Sequence, residues 1–268
     1  MWRLALPLAL AFAARTAAAR LPPDDERRLD EGTALTVGAQ TLKLGVLSFD
    51  YGIIERLSVG IDPPFWAFRL AAPIFIPNAH LKFAAIASRR FWLSGQVGFY
   101  YADITHNGSS GSLTVIPFSG LASVGVAPWF WVHGDVTYDF VTASGAGDLD
   151  RADIGGSAGA RAVQVGALLE WRLAPVFALT LRGRYQVYTG RLAFSGTAQA
   201  DDYTTASVDA RLTPRHQHPW VVVPGIALLW RHVHLTAGVG YGNVFVPGVQ
   251  IPLTKQGLAP DFSLAVLF

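Results

Sequence analysis

Cysteine is absent from all 268 residues, so neither a disulfide framework nor a thiolate metal site can form. Methionine occurs once, and charge is sparse: Asp, Glu, Lys and Arg together make up 15% of the chain, against roughly 25% in soluble domains. An apolar run fit for a membrane helix is also missing. Ile104–Gly134 holds no Asp, Glu, Lys or Arg, but Gly and Ser recur through it and Pro117 and Pro128 interrupt it. No helical period survives such breaks. Trp220–Trp230 has about half the ~20 apolar residues that a spanning helix needs. The chain is nonetheless oily, with 51% hydrophobic and 12% aromatic residues, 27 glycines and a mean hydropathy of +0.32.

At the beginning of the chain, Arg3 supplies a short positive region, Leu4–Ala14 an apolar one and Ala17-Ala18-Ala19 an A-x-A cleavage site. This predicts a signal peptide over residues 1–19, although Arg15 interrupts the apolar run. Loss of Arg3 and Arg15 takes Lys plus Arg from 21 to 19, equal to the 19 Asp plus Glu. The mature chain is then neutral, which argues against nucleic acid as a partner. Residues 20–32, with two prolines and dense mixed charge, read as a short periplasmic leader.

A period of two runs through the rest. Val132, Gly134, Val136, Tyr138 and Phe140 alternate with His133, Asp135, Thr137 and Asp139; Phe177, Leu179, Leu181, Gly183, Tyr185 and Val187 alternate with Ala178, Thr180, Arg182, Arg184 and Gln186. Ala162–Trp171 and Phe91–Tyr101 repeat the pattern. Such alternation marks strands with one apolar face. Their length, about ten residues, is what a tilted strand needs to cross a bilayer. In lipid every backbone polar group must be paired within the protein, so strands span only as a closed barrel. Short connections (88–90, 127–129, 173–175, 231–232) alternate with long polar ones (105–113, 142–159, 191–204, 247–259), and aromatic residues cluster beside the short ones, as in outer-membrane barrels. The chain ends on PDFSLAVLF: Phe262, Leu264, Val266 and Phe268 alternate with Asp261, Ser263 and Ala265.

With the signal sequence and the terminal aromatic strand, the chain resembles a Gram-negative outer-membrane β-barrel. Tyr51–Gly60 is similar to a hairpin of poorly characterised single-barrel outer-membrane proteins, and Val239-Gly-Tyr-Gly-Asn243 to their last hairpin. The resemblance implies a bacterial outer-membrane location, contact with lipid and lipopolysaccharide, and insertion by the barrel-assembly machinery, with Phe262, Leu264, Val266 and Phe268 as the assembly signal. It implies little about activity.

The expected fold is an all-β, transmembrane, antiparallel up-and-down barrel over residues 33–268. Strands are expected near 41–49, 56–62, 78–87, 91–104, 114–126, 131–142, 160–172, 176–190, 219–230, 233–245 and 261–268. These number eleven, and bacterial barrels have an even count. A short strand at Thr33–Ala39 would make twelve; demotion of 41–49 would leave ten. Twelve is the reading adopted.

The inward positions mix signs: His80, Lys82, His133, Asp135, Asp139, Glu170, Arg172, Arg182, Arg184 and His234. A three-residue turn at 173–175 would set Gln164 opposite Arg184 and Gly166 opposite Arg182, with Asp139 two strands from Arg184. Asp135, Asp139, Gln164, Arg182 and Arg184 are therefore the candidates for lumen chemistry. They form either a compensating ion-pair network or a constriction that selects a small polar solute. No cofactor, metal site or catalytic set is expected. Gly155–Gly159 fits G-x-S-x-G without the strand-to-helix elbow it requires. Asp148, Asp150 and Asp153 miss the spacing of a calcium loop, and Asp201, Asp202, His216 and His218 lack a shared level. The function expected is a narrow, non-enzymatic channel or small-ligand transport barrel, monomeric or a small homo-oligomer. The alternatives are a closed structural or adhesion barrel acting through its outer loops, and an outer-membrane hydrolase or acyltransferase.

Overall fold

The computed structural model describes residues 29–30, 32–66, 76–106, 109–149, 152–190, 192–201, 204–212, 218–245 and 252–268. The signal peptide expected over 1–19, and residues 20–28 and 31 of the leader, lie outside them. The described strands are β1 (Leu42–Gly45), β2 (Phe49–Ile54), β3 (Leu57–Ile61), β4 (Asn78–Ala87), β5 (Phe91–His106), β6 (Ser109–Ala127), β7 (Phe130–Leu149), β8 (Ala152–Ala174), β9 (Phe177–Thr189), β10 (Leu192–Asp201), β11 (Thr204–Leu212), β12 (Trp220–Leu229), β13 (Val233–Phe245) and β14 (Pro252–Leu267).

Twelve of them, β1 to β9 with β12 to β14, close into an antiparallel ring in which β14 returns to β1 through Lys43↔Leu267, Leu44↔Val266 and Gly45↔Ala265. β9 pairs with both β8 and β12. The remaining hairpin, β10–β11, prolongs the sheet past the ring. β10 takes the outer part of β8 (Ala193↔Gly159 to Gln199↔Asp153), whereas β9 takes the inner part (Ala162↔Thr189 to Ala174↔Phe177).

The twelfth strand is not Thr33–Ala39, which forms no strand. It comes from the stretch read as one strand at 41–49, where the chain already reverses at 46–48 to give β1 and β2. Tyr51 and Gly52 lie within β2 and pair with Val59 and Ser58. The outer connections are also more ordered than expected. Strands β6, β7 and β8 run through 109–113 and most of 142–159, β10–β11 takes most of 191–204, and β14 begins at Pro252. Gly and Ser in those stretches weaken a strand only modestly, and the backbone ladder with a neighbouring strand outweighs that cost.

The alternation predicts the faces correctly. Leu81, Phe83, Leu93, Phe99, Phe118, Val136, Leu179, Val222, Ile226, Val239 and Phe262 point outward and stay exposed. So continuous a bare apolar surface belongs in lipid. No helix among the described residues is long and apolar enough to cross a membrane, and the strands do the crossing. Phe91, Trp129, Trp230 and Phe268 stand exposed at the short-turn end, with Tyr138, Tyr185, Tyr188 and Tyr241 toward the other end, as two interfacial girdles.

Candidate functional site

The lumen is filled at its short-turn end by the described segment that precedes β1. Leu29 packs against Leu168, Ala178, Ala227 and Leu229 of β8, β9 and β12. From there the segment crosses toward β5 and β6. The Ala34 amide donates to Ser123 Oγ at 2.9 Å, and Ser94 Oγ donates to the Ala34 carbonyl. Lys82 Nζ donates to the carbonyls of Asp30 (2.9 Å) and Leu35 (2.8 Å), and Lys43 Nζ meets the Asp30 carboxylate at 2.8 Å. The plug leaves over Gly52, where an added Cβ would overlap the Gly38 carbonyl. Gln40, with φ of 57°, then donates its amide to the Gly52 carbonyl at 2.6 Å. Asp30 belongs to no strand. Burial would raise its carboxyl, but Lys43, then His234 and Lys82, hold it down at about 2.

Behind the plug, His133 sits between Ser123 and Glu170, with Nδ1 at 2.8 Å from Ser123 Oγ and Nε2 at 3.5 Å from Glu170 Oε2. These are the residue types of a hydrolytic triad. All three are almost wholly buried, and the Ser123 hydroxyl is engaged by both His133 and the Ala34 amide. In this arrangement the trio anchors the plug.

Higher in the lumen, charge is paired across strands that do not touch. Arg184 Nη2 on β9 lies 3.0 Å from Asp135 Oδ2 on β7, and Gly166 of β8, between them, is in register with both. A Cβ at Gly166 would overlap Asp135 Oδ1. Asp50 on β2 and His80 on β4 meet at 2.7 Å in the same way over Gly60 of β3, where a Cβ would clash with both. Arg182 reaches Asp261 at 3.2 Å, and Tyr100 donates to Asp62. Phe65, Tyr100 and Val115, with Ile76, Leu113 and Val141, make an apolar cap over one side of the outer lumen.

Between plug and cap lies a cavity of about 380 Å³, within the roughly 300–1,000 Å³ range of ligand sites. Its charged lining includes Asp135, Arg182, Arg184 and Asp261 on one wall and Asp50, Asp62, His80 and Lys82 on the other. Of the candidates, Asp135, Arg182 and Arg184 are brought together on it. Asp139 and Gln164 are not: they are 1% and 0% exposed and bonded to each other, Gln164 Nε2 donating to Asp139 Oδ2 at 2.7 Å. The expected register was wrong: β8 runs on to Ala174, the turn falls at 175–176, and a bulge between Arg172 and Ala174 absorbs one residue of β8. This sets Gly166, not Gln164, opposite Arg184, and Gln164 opposite Gln186. Asp30, Lys43, Asp50 and Asp62 were missed. For Lys43 and Asp50 the signal was the inward parity of a β1–β2 hairpin that a single strand at 41–49 conceals; Asp30 and Asp62 lie outside the strands, where no period marks them. Phe262, Leu264 and Val266 follow the alternation, and Phe268 closes on Leu42 through two backbone hydrogen bonds, at 2.9 and 3.2 Å. Gly155–Gly159 is ordinary strand paired to β7 and β10. Asp150, Asp202 and His216 lie outside the described residues.

No family model matches the sequence, and no curated protein matches it. Among solved structures, the translocator domain of the autotransporter NalP from Neisseria meningitidis is similar at 13% identity and a TM-score of 0.46, over 85% of this chain and 83% of that one. The Pseudomonas putida toluene transporter TodX gives 9% and 0.47 over 85% and 76%, and the Ralstonia pickettii toluene transporter TbuX 12% and 0.44 over 85% and 70%. Likeness at this level is confined to the barrel architecture. With its closed ring, lipid-facing girdles and polar lumen, the chain is a barrel of the outer-membrane type.

Proposed function

We propose that this protein is a non-enzymatic transport barrel of the bacterial outer membrane that binds a small organic solute in its lumen, with the segment from Leu29 to Thr41 as a plug at the periplasmic end. The observation that carries the reading is the charged cavity directly above that plug. Arg182, Arg184 and Asp135 are the solute-facing groups. A guanidinium has five N–H donors and each arginine commits few of them to its carboxylate, which leaves donors for a ligand. Lys82 and Lys43 hold the plug, so the resting barrel passes little current. Planar-bilayer recording of the refolded protein tests this. Wild type should conduct weakly and Lys82→Ala several-fold more; silence in wild type, Lys82→Ala and Arg184→Ala alike would remove the transport reading.

One observation favours a second reading, adhesion through the outer surface: β7, β8 and the β10–β11 hairpin carry the sheet beyond the ring. A variant with residues 192–212 replaced by a short turn separates the two. Conductance should persist under the transport reading, whereas surface binding would be lost under the other.

A further inference from the structure

The wall of the ring is not of even height. β1, β2 and β3 have four, six and five residues, and a strand needs about 9–11 to cross the hydrocarbon. Their neighbour β14 has 16. β14 pairs with β1 only at residues 265–267; the two bonds between Phe268 and Leu42 extend the seam at one end, and one from the Val46 amide to the Leu264 carbonyl, at 2.8 Å, at the other. Beyond that point, among the described residues, β14 has a strand partner on its β13 side alone. The groups that face β1 come from even positions, Phe268, Val266 and Leu264, so the next in line are Phe262 and Pro260. Proline has no N–H to leave unpaired and is the residue tolerated at a sheet edge. Leu258, further along, is 76% exposed.

The cavity reaches this low sector, with Leu47 and Ser48 of the β1–β2 turn on one side and Pro260 and Phe262 on the other. Its lining changes along the way. Arg184 and Arg182 are in register with Val221 and Val223, and Gly240 on the next strand is in register with Ala259 of β14. The two valines lean over Gly240, 3.4 and 3.1 Å from where a Cβ would stand. A row perpendicular to the strands thus runs from guanidinium through valine and bare backbone to the open edge, over roughly 14 Å at about 4.8 Å per strand. At its inner end Arg184 Nη1 is buried without a hydrogen-bond partner among the described residues.

We propose, resting on the transport reading, that the solute is an amphiphilic organic anion. Its acidic head binds at Arg184 and Arg182, its aliphatic body lies along Val221, Val223 and Gly240, and it passes sideways between Ser48 and Pro260 into the bilayer. A lipid-soluble body gains nothing from an aqueous mouth, whereas a low wall at membrane level lets it leave without crossing water.

Binding of radiolabelled dodecanoate, butyrate and dodecanol to the full chain in lipid nanodiscs tests this. Dodecanoate should bind at least tenfold more tightly than either of the others. Arg184→Gln should weaken dodecanoate at least tenfold and leave dodecanol unchanged, with Arg184→Lys restoring part of the loss. Heat-modifiable migration on gels confirms that each variant is folded. A dodecanoate carrying a terminal diazirine should label Leu47 or the 258–262 stretch. Butyrate binding as tightly as dodecanoate, an unaffected Arg184→Gln, or labelling confined to other residues would each overturn the amphiphile proposal. If dodecanoate fails to bind while Lys82→Ala still conducts, this proposal falls and the transport reading stands.

Discussion

Asp135 and Arg184 stand on strands that share no hydrogen bond, and their side chains meet at 3.0 Å across the bare backbone of Gly166. Flanking strands are about 9.6 Å apart, twice the inter-strand spacing, and any lumenal side chain on the middle strand would occupy that gap. Gly60 plays the same part between Asp50 and His80. Each of these glycines is a passage for an ion pair.

Gly166→Ala and Gly60→Ala should therefore each destabilise the barrel by about 1–3 kcal/mol, the cost of a buried polar group losing its partner. Gly95→Ala and Gly120→Ala are the controls, because a Cβ at either meets nothing within 4 Å. Urea titration of the protein folded in lipid vesicles measures all four. Equal stability of Gly166→Ala and Gly120→Ala would show that the pair does not depend on the missing side chain.

Plug docking should depend on acid in one direction only. The Asp30 carboxyl is held down from 3.8 to about 2, so its attraction for Lys43 is fully present above about pH 4 and fades as pH falls through about 2. Pepsin, active in this range, should cut between Leu29 and Thr41 much faster at pH 2 than at pH 4. Asp30→Asn should be cut readily at both. An Asp30→Asn plug as resistant as wild type at pH 4 would show that the Asp30–Lys43 pair does not hold the plug.

Outward positions should resist charge according to depth. Val136, 54% exposed in mid-strand, should lose about 2–4 kcal/mol on substitution by Arg, and Val126, beside the short turn at 128–129, only about 0–1. Vesicle unfolding curves of Val136→Arg and Val126→Arg give the comparison. Equal costs would misplace the lipid band.

Deletion of Phe268 removes both backbone bonds to Leu42, whereas Phe268→Ala keeps them and loses only the ring. Refolding into vesicles, scored by heat-modifiable migration, should fall for the deletion and hold for the substitution. In cells, insertion should fall for both if the terminal aromatic is an assembly signal. Full insertion of Phe268→Ala in cells would leave Phe268 with the seam alone.

The barrel was legible because lipid imposes one rule on every strand: Val136 and Asp135 must face opposite ways, and a period of two records it. The even-number rule supplied the count but misplaced its source. Thr33–Ala39 looks extended and half apolar because it packs in the lumen, where Ala34 meets Ser94 and Ser123, and period alone does not separate a plug from a strand. Register was the other casualty. Moving the 173–175 turn to 175–176, with a bulge between Arg172 and Ala174 that restores the parity, exchanged Gln164 for Gly166 opposite Arg184, and with it Asp139 for Asp135 as that arginine's partner. A slip of this kind preserves every face and alters every pair.

The plug's attachments lie along the chain in a fixed order: Leu29 against Leu229, Asp30 to Lys43 and Lys82, Ala34 to Ser94 and Ser123, Leu35 to Lys82, Gln40 to Gly52, and only then Leu42 to Phe268. Tension applied at the chain's beginning would peel them in that sequence, one small load at a time. The backbone of the seam between β1 and β14, three residue pairs long, would take the full load only after the others had let go. The segment is thus a mechanical fuse in series with the barrel's closure: it empties the lumen before the full load reaches the closing strands.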